Sequence, residues 1–326
     1  MKNVAVIPGD GVGPEVVGAT VEVLEGLPVD LEFDEFPAGD GVKEETGTPL
    51  PEETLEGARE ADAVLLGAVG ETAADVVIRL RQELDTYVNL RPIKAYPGVE
   101  CVDPEADFVI VRENTECLYS GIEDEIAAGV TTATRVITKG ASSRIAEYAF
   151  DYAEAEDRPL VSAIHKNNVL PVTGGEFLAA VEEVAEKYAV EYEDVLVDAA
   201  ALYMVKNPAR FEVVLTTNLF GDILSDLAAG LIGGLGLSPS ANIGDENGLF
   251  EPVHGTAPDI AGKGIVNPTA AILSGSYMLN FLGEEEFGRR LEKAVKKTLE
   301  EGETTPDLGG DLDTTEMARA VLNRVR

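Results

Sequence analysis

Residues Leu215 to Leu273 read LTTNLFGDILSDLAAGLIGGLGLSPSANIGDENGLFEPVHGTAPDIAGKGIVNPTAAIL, and the rest of the chain is organised around them. Asp222 and Asp226 stand four apart in an apolar run, which places both on one face of a helix. A helix that is apolar all round is expected to be buried, and a buried carboxylate needs something positive to meet it. Lysine and arginine are absent from Phe211 to Gly262, so the partner comes from elsewhere: a distant side chain or a bound cation. Hard oxygen ligands suit Mg²⁺ or Mn²⁺. A Gly-rich linker follows, then Glu251-Pro-Val-His-Gly-Thr-Ala-Pro-Asp259, a loop whose glycine, proline, histidine and carboxylate make a plausible nucleotide cradle. The plainer reading is a buried helix with polar ends followed by a long surface loop.

Three motifs break that tie. NLFGDILSDLAAG, EPVHGTAPDIAGKGIVNPTAAIL and the later TPDLGGD, which begins at Thr305, resemble the β-decarboxylating dehydrogenases that act on isocitrate, homoisocitrate or 3-isopropylmalate. The resemblance covers essentially the whole chain. It implies an α/β fold of two domains with a sheet shared across them, not a Rossmann fold. Residues 1–87 plus 233–326 would form a cofactor-side domain holding both termini. Residues 88–232 would form a central domain with the dimer interface and an arm, and the site would lie in the cleft between domains.

Composition agrees with a globular enzyme. The chain has 326 residues, a soft expectation of two domains, and 45% are apolar, enough for a sizeable core. Lys+Arg number 25 and Asp+Glu 60, a net charge of −35 that argues against nucleic acid or an anionic membrane as partner. The acid excess is spread along the chain. Such self-repulsion is relieved in molar salt, where screening shortens to about 3 Å, and the surface reads as adapted to a high-salt cytoplasm. Cys101 and Cys117 form no disulfide framework or zinc spacing. Met1-Lys2-Asn3 runs straight into a strand-like segment with no signal peptide evident, so a cytoplasmic location is expected.

Along the chain, Val4 to Ile7 reads as a buried strand leading into Pro8-Gly-Asp-Gly-Val-Gly-Pro14. A G-x-G-x-x-G fingerprint fails there because Pro14 stands at the third glycine; the resemblance places this turn at the rim of a nucleotide site. A helix is expected over Val16–Leu27, a strand over Leu31–Phe36, a helix over Glu52–Glu60 and a strand over Ala63–Leu66. Gly67-Ala-Val-Gly70 reads as flexible, and Ala73–Tyr87 as one helix. Thr131–Thr138 reads as a strand of the arm, and Ser142–Glu156 as a helix with Ser142 as N-cap. Val161–Ile164 is strand-like, Phe177–Tyr188 is amphipathic, and Val195 to Asp198 ends a strand. Helices close the chain over Thr269–Leu282, Glu284–Glu300 and Thr314–Val325.

The resemblance assigns roles to particular side chains. Arg81, Arg91 and Arg112 match the family's arginine trio that holds substrate carboxylates; a guanidinium fork suits that task. Thr72 joins them as a substrate residue. Tyr119 matches the proton donor after decarboxylation, and Lys166 the base, with Asn168 beside the nicotinamide. Cys117 stands where relatives have glycine, two residues before Tyr119. Asp198, Asp222 and Asp226 match the metal-binding carboxylates. His254, Gly255, Thr256, Ala257, Asp259 and Asn267 match the coenzyme loop. In the resemblance the partner subunit supplies Lys166 and Asp198, so at least a homodimer is needed, with tetramers left open. The implied cofactors are NAD and Mg²⁺ or Mn²⁺. A non-catalytic regulatory or binding subunit is the reading from another class. It is expected to have lost a carboxylate, Lys166 or Tyr119, and all are present.

Substrate choice turns on the residues before Arg81. By resemblance, isocitrate users carry serine and asparagine there, and homoisocitrate users an arginine three residues before. This chain has Asp75, Val77 and Ile78. An apolar wall desolvates an extra carboxylate and favours an alkyl group. Arg79 is the neighbour able to spoil that wall, and at about 100° per residue it is expected to face away. The expectation is 3-isopropylmalate, oxidised and decarboxylated to 2-oxo-4-methylpentanoate in leucine biosynthesis. Isocitrate, homoisocitrate and 3-methylmalate are the alternatives.

Overall fold

The computed structural model describes residues 1–325; Arg326, the last residue of the expected cofactor-side domain, lies outside them. The elements follow in chain order. They begin with β1 (Lys2–Ile7), α1 (Gly13–Glu25), β2 (Leu31–Glu35), α2 (Asp40–Thr46), α3 (Glu52–Glu60) and β3 (Ala63–Leu66). A π-helical turn at Ala74–Ile78 leads into α4 (Arg79–Glu83), β4 (Val88–Lys94) and β5 (Asp107–Glu113). A hairpin of β6 (Glu123–Ala127) and β7 (Val130–Ala133) precedes α5 (Lys139–Ala155), β8 (Leu160–His165), α6 (Pro171–Ala185) and β9 (Glu191–Leu196). Then come α7 (Val197–Lys206), β10 (Val213–Thr216), α8 (Asn218–Leu231), β11 (Pro239–Ile243) and β12 (Gly248–Pro252). The chain closes with α9 (Thr269–Phe281), α10 (Glu285–Glu300) and α11 (Thr314–Val325). The architecture is mixed α/β on a large, mostly parallel sheet.

Two compact units emerge. One comprises Met1–Thr86, Ala95–Pro104 and Ile232–Arg326, the other Tyr87–Lys94 and Glu105–Leu231. The sequence placed 88–232 in one unbroken domain; the structure groups Ala95–Pro104 with the first unit.

In the first unit the strand order is β2-β1-β3-β12-β11, parallel except for the antiparallel β11–β12 pair. Val4–Ile7 and Ala63–Leu66 are buried at every position, as parallel strands covered on both faces should be. Ile7, Leu55, Leu66, Leu80 and Leu249 form one core cluster, and Val12, Val16, Val266 and Ala271 another. In the second unit the order is β4-β5-β10-β8-β9, with only the β4–β5 pair antiparallel. Its hairpin, β6–β7, is exposed at every residue. Phe108 and Phe211 pack there with ring centroids 5.9 Å apart.

Several local expectations need correction. Gly67–Gly70, read as flexible from its glycines, is closely packed, and the glycines serve close approach. A Cβ on Gly67 would lie 2.0 Å from the Pro8 carbonyl oxygen, and the Asp10 amide donates to the Ala68 carbonyl at 2.7 Å. The single helix over Ala73–Tyr87 is instead the π turn followed by the short α4. The N-cap of α5 is Thr138, whose hydroxyl accepts from the Ala141 amide, so Ser142 lies inside the helix. Asp198 does not end a strand; it sits in the first turn of α7, where a carboxylate meets the helix's positive end.

Candidate active site

The second unit gathers five of the expected residues. β4 carries Arg91 and β5 carries Arg112, and α8 packs across both. Gly221 permits that approach: a Cβ there would lie 2.5 Å from Arg112 Cγ. Arg112 is buried, donates from Nη1 to Asp222 Oδ1, and forks Nε and Nη2 onto Asn218 Oδ1 at 3.0 and 2.7 Å. Tyr119 donates its hydroxyl proton to Asp222 Oδ2 at 2.7 Å, with the Arg112 guanidinium 5.1 Å from its ring centre. Arg91 Nη1 donates to Ser225 Oγ at 2.5 Å and lies 3.7 Å from Asp222 and 3.6 Å from Asp226. The carboxylates therefore do meet distant side chains. They are also less buried than an all-apolar helix suggested: Asp222 is 39% exposed and Asp226 59%. Burial pushes the Asp226 carboxyl up, Arg91 opposes that, and the neighbouring Asp222 charge adds to it. Burial likewise raises the Tyr119 phenol, so it stays protonated at neutral pH.

The turn before Tyr119 is tightly held. Glu113 accepts from the Thr115 and Glu116 amides at 2.7 and 3.1 Å, and Glu116 in turn accepts from Thr138. Cys117, at φ 73°, occupies backbone space that glycine favours, and it is locked by two backbone hydrogen bonds with Val136. That conformation explains why glycine suits this position.

Lys166 and Asp198 form a separate pair in the same unit. Lys166 Nζ donates to Asp198 Oδ1, which holds that carboxyl below its usual range. Asn168, two residues on, is exposed. Among the described residues no group of three or more His, Cys, Asp or Glu is arranged as a metal cluster. Asp222 and Asp226 still fit a hard cation in part. They offer two carboxylate oxygen donors on adjacent helical turns, partly exposed and mutually repulsive, and Mg²⁺ commonly uses only one or two protein carboxylates.

The first unit holds the other expected residues. Arg81 is buried and donates to Glu251 Oε1 at 2.5 Å, and that oxygen also accepts from Asn242 Nδ2 at 2.8 Å. Thr72 donates its amide and hydroxyl to Asp40 Oδ1 at 2.9 and 2.7 Å. Val77 and Ile78 lie in the π turn, with Val77 packed partly against the core. Arg79 points toward Glu52 and Glu83, 3.9 Å from each.

The Gly-Asp-Gly turn meets the 254–257 loop directly. The Val12 amide donates to the Thr256 carbonyl at 3.0 Å, and a Cβ on Gly11 would lie 2.2 Å from that oxygen. Asp10 accepts from the amides of Asp40, Gly41 and Gly70. His254 Nδ1 faces the Gly255 carbonyl at 3.0 Å, while its buried Nε2 has no protein partner among the described residues. Burial lowers its pKa, so Nε2 is a neutral acceptor awaiting a donor, and the loop fits a nucleotide base. Gly255, Ala257 and Asp259 are exposed on this loop. Asn267 is spent on the protein itself: Nδ2 donates to Asp307 and Oδ1 accepts from the Thr269 amide.

Sequence reasoning missed Asn218, Gly221, Ser225, Glu251 and Asp10. Their partners lie as far as 170 residues away, as for Arg81 and Glu251, and no local pattern announces them.

A family model for isocitrate/isopropylmalate dehydrogenase matches residues 3–321. The chain is 56% identical to the 3-isopropylmalate/3-methylmalate dehydrogenase of Methanocaldococcus jannaschii, over 100% of this chain and 99% of that one. It is 55% identical to the 3-isopropylmalate dehydrogenase of Archaeoglobus fulgidus, over 99% of each. Its fold is similar to the crystal structure of isocitrate dehydrogenase from Methylococcus capsulatus, with TM-score 0.97, 45% identity and 100% of both chains covered. The geometry of Arg91, Arg112, Tyr119 and the α8 carboxylates thus sits in a chain that belongs to the isocitrate/isopropylmalate dehydrogenase family.

Proposed function

We propose that this chain is an NAD- and divalent-metal-dependent enzyme that oxidises and decarboxylates 3-isopropylmalate to 2-oxo-4-methylpentanoate, a step of leucine biosynthesis. The observation that carries the chemistry is the convergence of Arg112 and Tyr119 on Asp222. When bound, a Mg²⁺ or Mn²⁺ ion at Asp222 and Asp226 supplies Lewis acidity, and NAD⁺ at the His254–Asp259 loop supplies the hydride acceptor. Arg91 and Arg112 orient the substrate's carboxylates. Lys166, acting as the neutral amine, takes the proton of the C2 hydroxyl, and Asp198 accepts the hydrogen bond that holds Lys166 in place. Tyr119, a phenol protonated at neutral pH whose burial raises its pKa further, delivers a proton to the carbon that CO₂ leaves.

The substrate reading rests on Val77 and Ile78. With Arg79 turned toward Glu52 and Glu83, the polar reader of a third carboxylate is missing from this turn. An isopropyl group gains about 1–2 kcal/mol by burial against apolar side chains, whereas a carboxylate there is desolvated without a partner. Smaller 3-alkylmalates, such as 3-methylmalate, are weaker substrates on this reading. Asp259 favours NAD⁺, since it suits ribose hydroxyls and repels a 2′-phosphate, with no base nearer in the sequence than Lys263.

A second copy of the chain completes the assembly. Leu202 and Val205 on α7 and Ile223 on α8 are 55%, 52% and 57% exposed, an apolar surface that suits a homodimer interface. The partner's copies of Lys166 and Asp198 then serve the site of the first chain. The net charge of −35 fits a cytoplasm rich in salt. No helix among the described residues is long and apolar enough to cross a membrane.

The test is kcat/KM for 3-isopropylmalate against isocitrate and homoisocitrate, with NAD⁺ and NADP⁺, Mn²⁺ and constant salt. The isopropyl substrate with NAD⁺ is expected to lead clearly. A tricarboxylate that outperforms it overturns the assignment of Val77 and Ile78.

A further inference from the structure

The chain has two histidines, and only His254 has been given a role so far. His165 ends β8, one residue before Lys166, and is 2% exposed. Its ring makes two directed contacts. Nδ1 accepts the Asn167 amide at 3.2 Å, and Nε2 faces Asp194 Oδ2 on β9 at 3.1 Å. A nitrogen that accepts an N–H carries no proton of its own, so Nε2 is the N–H of the ring and donates to Asp194. The imidazole therefore links the neighbouring strand to the backbone of the Lys166–Asn168 loop.

Apart from the Lys166 side chain's bond to Asp198, the contacts that hold the rest of that loop run through its backbone. The Lys166 carbonyl accepts from the Val169 and Leu170 amides at 3.1 and 2.9 Å. α6 presses against it from one side: a Cβ on Gly174 would lie 2.9 Å from Asn167 Cα. Thr216 on β10 ties down the Ile164 carbonyl at 3.0 Å. Among these contacts, the His165 ring alone is a side chain bonded to the amide between Lys166 and Asn168.

We propose that His165, oriented by Asp194, is a positioning residue: through the Asn167 amide it sets the direction in which Lys166 and Asn168 leave the strand. This rests on the reading of Lys166 as the proton acceptor. The geometry matters because misplacement of a catalytic group by about 1 Å can cost about 100-fold in rate. Histidine here does what asparagine does in an Asx-turn, accepting the amide two residues on, and it adds a second tie to β9.

That equivalence defines the test. His165→Asn retains an acceptor for the Asn167 amide. His165→Gln keeps a donor able to reach toward Asp194 but places its acceptor one bond too far along. Both are assayed as full-length enzyme with 3-isopropylmalate, NAD⁺ and Mn²⁺, beside His165→Phe and Lys166→Met. Expected is a fall in kcat of about 10–100-fold for Gln and Phe with KM little changed, and recovery of most of it by Asn. Amide exchange should be faster at Asn167 in the Gln variant than in the Asn variant, while their unfolding midpoints agree. The comparison of Asn with Gln decides the matter even where Phe fails to fold. Wild-type kcat in the Gln variant, or an Asn variant no better than Gln, overturns the inference while Lys166→Met is inactive. Wild-type turnover in Lys166→Met overturns the reading of Lys166 itself, and this inference with it.

Discussion

Replacing Glu251 by alanine isolates one interaction of the first unit. Arg81 and Glu251 are 9% and 8% exposed in their side chains and meet at 2.5 Å. Arg81 Nε already has no partner among the described residues. Alanine therefore leaves a guanidinium buried against no charge and Asn242 without one of its acceptors. Two unit charges about 4 Å apart attract by about 4 kcal/mol at an effective dielectric of about 20. One-sided deletion of a buried pair costs about 3–5 kcal/mol. Glu251→Gln keeps an acceptor oxygen and loses only the charge, so its cost is about 1.5–3 kcal/mol. The chain has no tryptophan. Urea unfolding in molar KCl is therefore followed by tyrosine fluorescence and circular dichroism, with the slope checked for constancy. Because the family resemblance makes Arg81 one of the arginines that hold substrate carboxylates, KM should rise in both variants. An alanine variant within about 1 kcal/mol of wild type would refute the reasoning, since relaxation or water would then have replaced the pair.

Chelation should abolish turnover, and Asp222→Asn should weaken the Mn²⁺ dependence strongly; full activity in excess chelator would exclude the proposed cation. Tyr119→Phe should slow protonation of the decarboxylated product far more than hydride transfer, and a wild-type rate of product ketonisation would remove Tyr119 as donor. Burial and a hydrogen bond to Asp151 push the Tyr188 pKa up to about 12. Its ordinary value is about 10. The folded state thus holds this proton more tightly, and the stabilisation, complete below about pH 10, is lost as pH rises through about 12. Tyr188→Phe should flatten that alkaline loss, and identical slopes would contradict it. Finally, lowering KCl from molar to dilute should lower the unfolding midpoint, because 60 acidic side chains then repel unscreened; an unmoved midpoint would count against salt adaptation.

Strong periodicity was readable in advance. The helices at Glu52–Glu60 and Thr314–Val325 and the strand at Ala63–Leu66 have the bounds their apolar patterns imply. Failures came where the deciding contact is not local. Thr138 rather than Ser142 caps α5 because Glu116, 22 residues earlier, accepts from its amide and holds that turn. Gly67–Gly70 looked flexible because glycine signals both freedom and close approach, and the neighbours that the glycines meet, the Pro8 carbonyl and Asp40, are remote in sequence. The π turn has no sequence pattern of its own. For Asp222 and Asp226, the absence of nearby bases correctly implied remote partners, but no spacing names Arg91 or Arg112.

The π turn has a consequence for how this chain can change. Thr72 is fastened to Asp40 at one end of the segment, and Arg81 to Glu251 at the other. Between two such anchors the number of residues sets a rotational phase, and a wide turn absorbs the remainder. Removing one residue would shift that phase by about 100°. In an untethered surface helix the next loop would take up the difference; here an anchor must break or Val77 and Ile78 must turn. A one-residue deletion or insertion in this stretch therefore acts as a change of direction, and it can re-aim the proposed specificity wall of Val77 and Ile78 without altering the chemistry of any side chain.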